Sequence, residues 1–434
     1  MLTIVGLLLI ASIMYVLIRG KTSPIIAFIL FPIIAALILG FSLGEIGGFA
    51  KDGLSSMLNT ATLFIFSITF FSIMHEVGIF NPMVDALTKR LKSNVFVIML
   101  AVVVATMIGH LDGSGATTFL IVVPAFMPIF KKVGIRAEAL LSTMIGTMAI
   151  MNLVPWGGPT LRASTVIEWE ASQLFNSLIP ALGVMFISSI FLAYVVSRIE
   201  VKNGAGPAYI EAQANVQTDE EVVEAGVEIS RTKFWLNVAL ILIILGTLFL
   251  EILPLNFSFM IGASIALLLN FPDPKVQSQK IKEYAAQAMV MTMTLFAVGI
   301  FMGFMKNAGV IDAIATTLIS YLPESLFKHA HWIVGLFGAP LMMGLSTDAF
   351  YYVLLPIVLG MVTPYGIAPN VVATTLLTTG TYGTMMSPGV AAVYVGLGLA
   401  EIDLGDHLKY SFKLLWPLSI ITLILNTLVG IIKF

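Results

Sequence analysis

The chain has 434 residues, of which 58% are hydrophobic and only 11% are charged, and its mean hydropathy is +1.00. Soluble domains carry about 25% charged residues, so this composition excludes a soluble globular protein and indicates a membrane protein with many spans. The absence of cysteine excludes disulfides, thiol nucleophiles and thiolate metal sites. The net charge of −2 says nothing about partners, and no basic patch indicates nucleic acid, so we expect no nucleic-acid partner.

Apolar segments that are long enough to cross a bilayer recur along the whole chain, since a spanning helix needs about 20 mostly apolar residues. The first, "MLTIVGLLLIASIMYVLIRG", lacks a basic n-region and a small-residue cleavage site, and we therefore expect a helix rather than a signal peptide. The predicted spans are 2–18, 23–43, 57–77, 137–168, 173–197, 234–252, 256–272, 284–308, 368–399 and 411–432.

Two further apolar stretches, 94–130 and 331–366, have polar residues at their middle. Basic residues favour cytoplasmic loops, and such clusters lie on both sides of residues 94–130, so this stretch enters and leaves the membrane by one face. With "GHLDGSGATT" at its apex, a re-entrant helical hairpin is favoured over two full spans. The two clusters are Lys89, Arg90 and Lys92 before the stretch and Lys131, Lys132 and Arg136 after it.

The same rule assigns the remaining loops and places both termini outside. It puts Glu168 and Glu170 outside, and it puts Arg198, Lys202, Lys275, Lys280, Lys282, Asp403, Asp406 and Lys409 inside. Residues 199–233 form the one long hydrophilic segment and are acidic, which predicts a solvated cytoplasmic linker. The linker separates an N-terminal repeat, 1–198, from a C-terminal repeat, 234–434.

Three sequence blocks recur in the same order in the two halves. "MHEVGIF" at 74–80 matches "MKNAGVI" at 305–311, and "GHLDGSGATTFLIVVPAFMP" matches "MGLSTDAFYYVLLPIVLGMV" with Ser114 over Ser346. The third match places Pro155 of "NLVPWGGP" over Pro388 of "TMMSPG". We therefore predict an all-α polytopic membrane protein of two inverted-topology repeats, a pattern that is typical of secondary transporters.

Each repeat is predicted to contain a hairpin and a broken transmembrane helix. The hairpins are 94–130 and 331–366, and the broken helices are 137–168 and 368–399, interrupted at Val154–Thr160 and at Met385–Gly389. Helix N-termini at such breaks favour anions, whereas unwound carbonyls suit cations. We expect the two hairpin tips and the two breaks to converge on a site that binds an anion together with a cation.

The candidate substrate ligands are small or hydroxylated residues at these four points. They are Ser114, Gly115 and Thr117 at the first tip, Gly157 and Gly158 at the first break, Ser346 and Thr347 at the second tip, and Ser387 at the second break. Small residues are also common where membrane helices pack together, and that alternative stays open for each of them.

Asp112 and Asp348 are the ionisable groups at the tips, and a charged aspartate at the bilayer centre costs about 2.5 to 3.5 kcal/mol. Such a residue titrates or meets a cation, so both are candidates for metal contact and proton coupling; a local helix cap is the alternative. The second tip has Asp348 where the first has Ala116, which favours the second tip for the cation or proton role.

Four other polar or aromatic positions allow two interpretations each. Arg162 follows the first break and could bind a substrate carboxylate with its fork or snorkel to the outer interface. Trp156 could wall the site or lie in an interfacial belt. His75 with Glu76 is favoured as interfacial, and His407 as part of a solvated loop rather than a gate. The spacing of His110, Asp112 and Ser114 does not favour a hydrolytic triad.

Four motifs carry a family resemblance that extends over essentially the whole chain. "GHLDGSGATTFLI", "NLVPWGGPTLR", "PLMMGLSTDAFYYVLLPI" and "GLAEIDLGDH" resemble the citrate–metal:proton symporter family of the ion transporter superfamily. The resemblance implies inverted repeats with hairpins, a homodimer, and uptake of citrate as its complex with magnesium or calcium, coupled to proton entry. After Ser387 and Pro388 the sequence "GVAAVYVGLGL" is less bulky and less hydroxylated than the family pattern.

Residues and resemblance together predict a multi-pass transporter of the cell membrane that needs no resident cofactor and is not an enzyme. The expected substrate is a tricarboxylate such as citrate, carried with a divalent cation and a proton by alternating access. A sodium-coupled di- or tricarboxylate symporter and a cation/proton antiporter of the same superfamily are the alternatives.

Overall fold

The computed structural model describes residues 1–19, 21–88, 91, 93–207, 209–210, 230–250, 252–321, 327–388 and 390–433, and all regular elements within these ranges are helical. The predicted all-α fold is therefore confirmed. Among the described helices, five are long and apolar enough to cross a membrane, and several shorter apolar helices accompany them.

The first half contains α1 (Leu2–Ile18), α2 (Pro24–Ile38), α3 (Leu43–Glu76), α4 (Asn81–Thr88), α5 (Val95–Gly109), α6 (Gly115–Val133), α7 (Ala137–Met151), α8 (Gly158–Ile167) and α9 (Ala171–Lys202). The second half contains α10 (Arg231–Phe249), α11 (Leu255–Asn270), α12 (Pro274–Asn307), α13 (Val310–Tyr321), α14 (Ala330–Leu336), α15 (Gly338–Gly344), a π-helix (Ala349–Leu354), α16 (Leu355–Val362), a 3₁₀ turn (Thr363–Tyr365), α17 (Pro369–Thr384), α18 (Ala391–Ala400) and α19 (Leu404–Leu428).

The predicted first hairpin corresponds to α5 and α6. Asn94 caps the start of α5 by accepting a hydrogen bond from Val97 N, and Gly134 ends α6 in the left-handed region at φ 75°. At 1.5 Å per residue the 15 residues of α5 reach only about 22 Å, less than the hydrocarbon core of about 30 Å. The tip between the two helices therefore lies at membrane depth if both bases lie at one face.

The second hairpin is less regular than its counterpart. Its first arm is divided at Phe337 into α14 and α15, and its second arm begins as a π-helix directly after Asp348. Single π-turns occur frequently at functional sites. Helical periodicity in the sequence gives no sign of this irregularity, because the apolar pattern continues through it.

Both predicted broken helices are interrupted at their prolines and glycines. The first consists of α7 and α8, and the second of α17 and α18. Two spans are longer than predicted, since α3 and α12 each have 34 residues. The helix α9 continues to Lys202, four residues into the predicted linker. The greater part of that linker, 211–229, and the basic residues Lys89, Arg90 and Lys92 lie outside the described residues.

The helices pack as two groups. The scaffold bundle, α1–α3 with α10–α13, is organised by the crossing of α3 with α12, and the hairpin bundle comprises α4–α9 and α14–α19. Thr3 Oγ1 donates to Ala313 O (3.1 Å), and His331 Nε2 lies 2.8 Å from Lys433 O. These contacts bring both ends of the chain near elements that are predicted to lie at the same membrane face as the termini.

The crossing of α3 with α12 depends on glycine. A Cβ added to Gly53 would lie 1.9 Å from the carbonyl oxygen of Gly299, and one added to Gly303 would lie 2.2 Å from that of Phe49. Small residues let membrane helices approach at backbone contact. The neighbouring Gly47, on the same helix, has open space at this position.

We expect Gly53→Ala to lower the midpoint of thermal unfolding in detergent, because the backbones of α3 and α12 must separate, at a cost of about 1–3 kcal/mol. The matched control is Gly47→Ala, which adds the same methyl group to α3 in open space and should leave the midpoint unchanged or slightly higher. Equal midpoints for the two variants would contradict the close crossing.

Candidate functional site

The first hairpin tip is fastened to the first helix break by side chains on both sides. Trp156 Nε1 donates a hydrogen bond to Leu111 O at 2.7 Å. The buried ring of His110 has its Nδ1 2.6 Å from Thr118 Oγ1 and its Nε2 3.2 Å from Asn152 Oδ1. These contacts satisfy polar groups that are buried from water, and they join tip and break through side-chain hydrogen bonds.

Asp112 caps its own tip. One carboxylate oxygen accepts from Ser114 N at 2.8 Å and the other from the hydroxyl of Thr117, while Ser114 Oγ caps the same helix by accepting from Thr117 N at 3.5 Å. The alternative of a local helix cap is therefore present in the structure. It orients the carboxylate and hydroxyls without removing them from the cavity described below.

The first tip also touches the second break. A Cβ on Gly115 would lie 2.4 Å from Met385 Cε and 3.3 Å from Ala392 Cβ, so any larger residue there would require the flexible end of Met385 to move. Ser387 lies buried in the same break, and Gly389 lies outside the described residues. At the first break, a Cβ on Gly157 would lie 2.4 Å from Asn152 O, which explains a glycine at that point.

A buried ion pair joins the two halves of the chain. Arg162 Nε lies 2.8 Å from Asp348 Oδ1, and their side chains are only 10% and 14% exposed. The guanidinium carbon lies 5.9 Å from the centre of the Tyr352 ring, and the group bends back over the start of α8, where a Cβ on Gly158 would lie 2.9 Å from Nη1. Arg162 is thus part of the interior and does not snorkel to an interface.

Ser346 and Thr347 complete the second tip. Ser346 Oγ accepts a hydrogen bond from Ala349 N at 3.1 Å, as a capping residue does, and Thr347 is half-buried. At this tip Asp348 therefore contacts Arg162 beside the first break, while Ser346 caps the π-helix that follows.

Three buried hydroxyls near these residues have no hydrogen-bond partner in the described part of the chain: Thr165 Oγ1, Tyr351 Oη and Thr384 Oγ1. They lie three residues from Arg162, Asp348 and Ser387, respectively. Buried polar groups in native proteins are normally paired, so unpaired hydroxyls at three site elements indicate groups available to a ligand. The sequence analysis did not predict any of these three hydroxyls, although the position of each, three residues from a predicted site residue, could have pointed to it.

A cavity of about 520 Å³ opens beside the first tip. Asp112, Ser114 and Thr117 form one wall, and His75 and Glu76, which were expected at the interface, belong to another. Glu76 is exposed, so lining this open cavity is compatible with an interfacial position. The full lining is Ile68, Phe71, Ser72, His75, Glu76, Gly78, Asn81, Asp112, Ser114, Thr117 and Tyr284.

Glu76, in the cavity wall, belongs to a small cluster of charged side chains. Glu76 Oε1 lies 2.6 Å from Lys280 Nζ, which also contacts Glu283 Oε2 at 2.7 Å. Hydrogen bonds with Glu283 and Glu76 raise the pKa of Lys280, so its ammonium group stays charged at neutral pH. The hydroxyl of Tyr284 donates to Glu76 as well.

The other two ambiguous positions are resolved by burial. Trp156 is 5% exposed and its ring lies 5.4 Å from that of Phe71 and 5.3 Å from that of Phe259, so it is packed in the interior beside the first tip and is not in an interfacial belt. His407 is fully buried, with Nδ1 3.2 Å from Ser411 Oγ, and the expectation of a solvated loop is wrong there.

The described residues contain no group of three histidine, aspartate or glutamate side chains placed to hold a metal ion. Asp112 and Asp348 are in addition engaged by a hydroxyl and an arginine in this conformation.

Comparison with known proteins decides the family. The model of the citrate transporter family (CitMHS) matches residues 1–379. The chain belongs to the citrate transporter family. Two relatives from Bacillus subtilis (strain 168) are a citrate transporter, 30% identical over 100% of both chains, and a Mg(2+)/citrate complex secondary transporter, 31% identical over 95% of both chains.

Citrate transporter family membership confirms the expectation of an integral membrane transporter rather than an enzyme. Among solved structures, the YdaH transporter of Alcanivorax borkumensis, described as having an unusual topology, superposes with a TM-score of 0.59 at 16% identity, covering 89% of this chain and 88% of that one. At this identity the likeness concerns the fold alone.

We expect Arg162→Gln and Asp348→Asn each to destabilise the protein, because each leaves one buried charge without its partner, at a cost of about 3–5 kcal/mol. The double variant Arg162→Gln/Asp348→Asn should recover most of the lost thermal stability in detergent but not citrate uptake. Unchanged unfolding midpoints in both single variants would contradict the ion pair, and normal uptake by the double variant would contradict its role in transport.

Proposed function

We propose that this protein is a secondary active transporter that imports citrate, or a similar tricarboxylate, as a complex with a divalent cation such as magnesium or calcium. Transport is coupled to proton entry and proceeds by alternating access in the cell membrane. The observation that carries the proposal is a site at the two tips and two breaks whose single cationic side chain, Arg162, is already neutralised by Asp348.

The charge of the site favours a substrate of low net charge. Free citrate is a trianion at neutral pH, and moving such an ion out of water costs many kcal/mol unless cations pair with it. A divalent cation reduces the complex to a single negative charge. The starts of α8 and α18, which no side chain caps, supply partial positive charge for the remaining anionic oxygens.

The substrate ligands in this proposal come from both halves. Hydroxyl and backbone groups bind carboxylate oxygens, Trp156 walls the site, and Arg162 supplies a fork for one carboxylate. The proposed set is Ser114, Gly115, Thr117, Trp156, Gly157, Gly158, Arg162, Ser346, Thr347 and Ser387.

Asp348 couples the proton to the substrate in this scheme. When Asp348 takes up a proton its charge no longer pairs with Arg162, and the guanidinium becomes available to a substrate carboxylate. Asp112, held by Ser114 and Thr117, faces the cation of the complex or takes a second proton. The relative named a Mg(2+)/citrate complex secondary transporter supports a metal-complexed substrate, and a homodimer is the proposed assembly.

The decisive measurement is uptake of radiolabelled citrate by the purified protein in vesicles. We expect an inward proton gradient to drive uptake when magnesium or calcium is present and excess chelator to abolish it, because the free trianion is rejected. Chelator-resistant uptake that follows a sodium gradient would favour the sodium-coupled symporter. A cation flux against protons without citrate would favour the antiporter.

Ser114→Ala tests the anion site itself. We expect a higher KM for citrate, because the variant loses a hydroxyl at the cavity wall as well as a cap worth about 1 kcal/mol. Ser42→Ala is the matched control, since Ser42 caps α3 by accepting from Glu45 N and does not line the cavity. The anion site at the first tip is contradicted if both variants shift KM equally.

A further inference from the structure

Four residues occupy two matched pairs of positions in the halves. His75 and Lys306 are the second residues of the matching blocks "MHEVGIF" and "MKNAGVI". Glu168 and Glu401 each end the second segment of a broken helix with positive φ, 58° and 56°, and within the described residues they are the non-glycine positions with this backbone conformation. The two glutamates are therefore counterparts in structure as well as in order.

Lys306 from the first pair and Glu168 from the second contact each other at the predicted outer face. Lys306 Nζ forms an ion pair with Glu168 Oε1, which joins α12 of the scaffold bundle to the end of α8 in the hairpin bundle. Beside it Asn59 Nδ2 donates to Glu170 Oε1 at 3.1 Å, and α8 packs against α3. The two bundles are therefore closed against each other on this side.

The remaining two residues, His75 and Glu401, make no contact with each other in this structure and lie at the predicted cytoplasmic face. His75 lines the 520 Å³ cavity, whereas Glu401 has a contact of 3.9 Å with Lys131 of its own bundle, with side chains 76% and 55% exposed. An exposed ion pair at this distance contributes little stability. Glu401 is thus free to exchange partners at small cost.

We propose that His75 and Glu401 form the contact that closes the cytoplasmic face when the site opens outward, and that Lys306 and Glu168 separate in the same step. In a protein of two inverted repeats, a contact that closes one face in one end state has a counterpart that closes the other face in the other end state. His75 with Glu401 is the counterpart of Lys306 with Glu168. The inference rests on alternating access from the proposed function but not on the identity of the substrate.

Cysteine cross-linking tests the exchange without background, because the chain has no cysteine. In His75→Cys/Glu401→Cys we expect a disulfide to form in membranes during turnover and to abolish uptake, with recovery on reduction. Glu168→Cys/Lys306→Cys should cross-link in the resting protein and block uptake likewise. Lys131→Cys/Glu401→Cys is the matched control, whose bond lies within one bundle and should leave uptake at the level of Glu401→Cys alone.

A second readout separates the two trapped states. A maleimide reagent should label Ser72→Cys, in the cavity wall, when Glu168→Cys/Lys306→Cys is cross-linked, and it should fail to label it when His75→Cys/Glu401→Cys is cross-linked. The proposal is overturned if His75→Cys/Glu401→Cys does not cross-link under turnover, or if its cross-link leaves the cavity open to the reagent. Because a symporter must also return empty, its outward-open state forms without citrate, and cross-linking and labelling can be scored in membranes to which no citrate is added. A wrong substrate assignment would then show only in uptake.

Discussion

Unwound backbone at the middle of a bilayer must find its hydrogen-bond partners within the protein, because no water is there to supply them. This constraint shapes the first tip, where the indole of Trp156 donates to Leu111 O and Asp112 accepts from Ser114 N. The same groups that satisfy the tip also fix its distance from the first break. A site for a polar substrate is thus a consequence of how the fold satisfies its own interruptions.

The buried pair of Arg162 and Asp348 adds a second constraint, since each charge is tolerable there only beside the other. The pair joins residues from opposite halves, so the electrical balance of the site depends on how the halves are placed. A substrate with nearly neutralised charge disturbs that balance least. In the proposed scheme, proton uptake by Asp348 would remove the negative charge beside Arg162 and free the guanidinium for the substrate. Proton coupling and substrate binding would then depend on the same contact.

Glycine contacts let the scaffold bundle form a compact partner for the hairpin bundle. Backbone approach at Gly53 and Gly299 holds α3 against α12. The hairpin bundle meets the scaffold bundle through aromatic packing of Trp156 on α3 and α11 and through the exposed ion pair of Glu168 with Lys306. An exposed ion pair is individually weak, so this polar contact can be exchanged at small cost.

Local features of the sequence were enough to predict the all-helical fold, the positions of both helix interruptions and the family, because apolar length, chain-breaking residues and motifs depend on residues that are neighbours in sequence. Only the tertiary structure decided which groups meet. Arg162 pairs with a residue 186 positions away, His75 and Glu76 line the cavity, and Tyr351 and Thr165 keep unpaired hydroxyls at the site. These contacts depend on how the helices cross, and the sequence of one helix does not determine which residues of another helix it will meet.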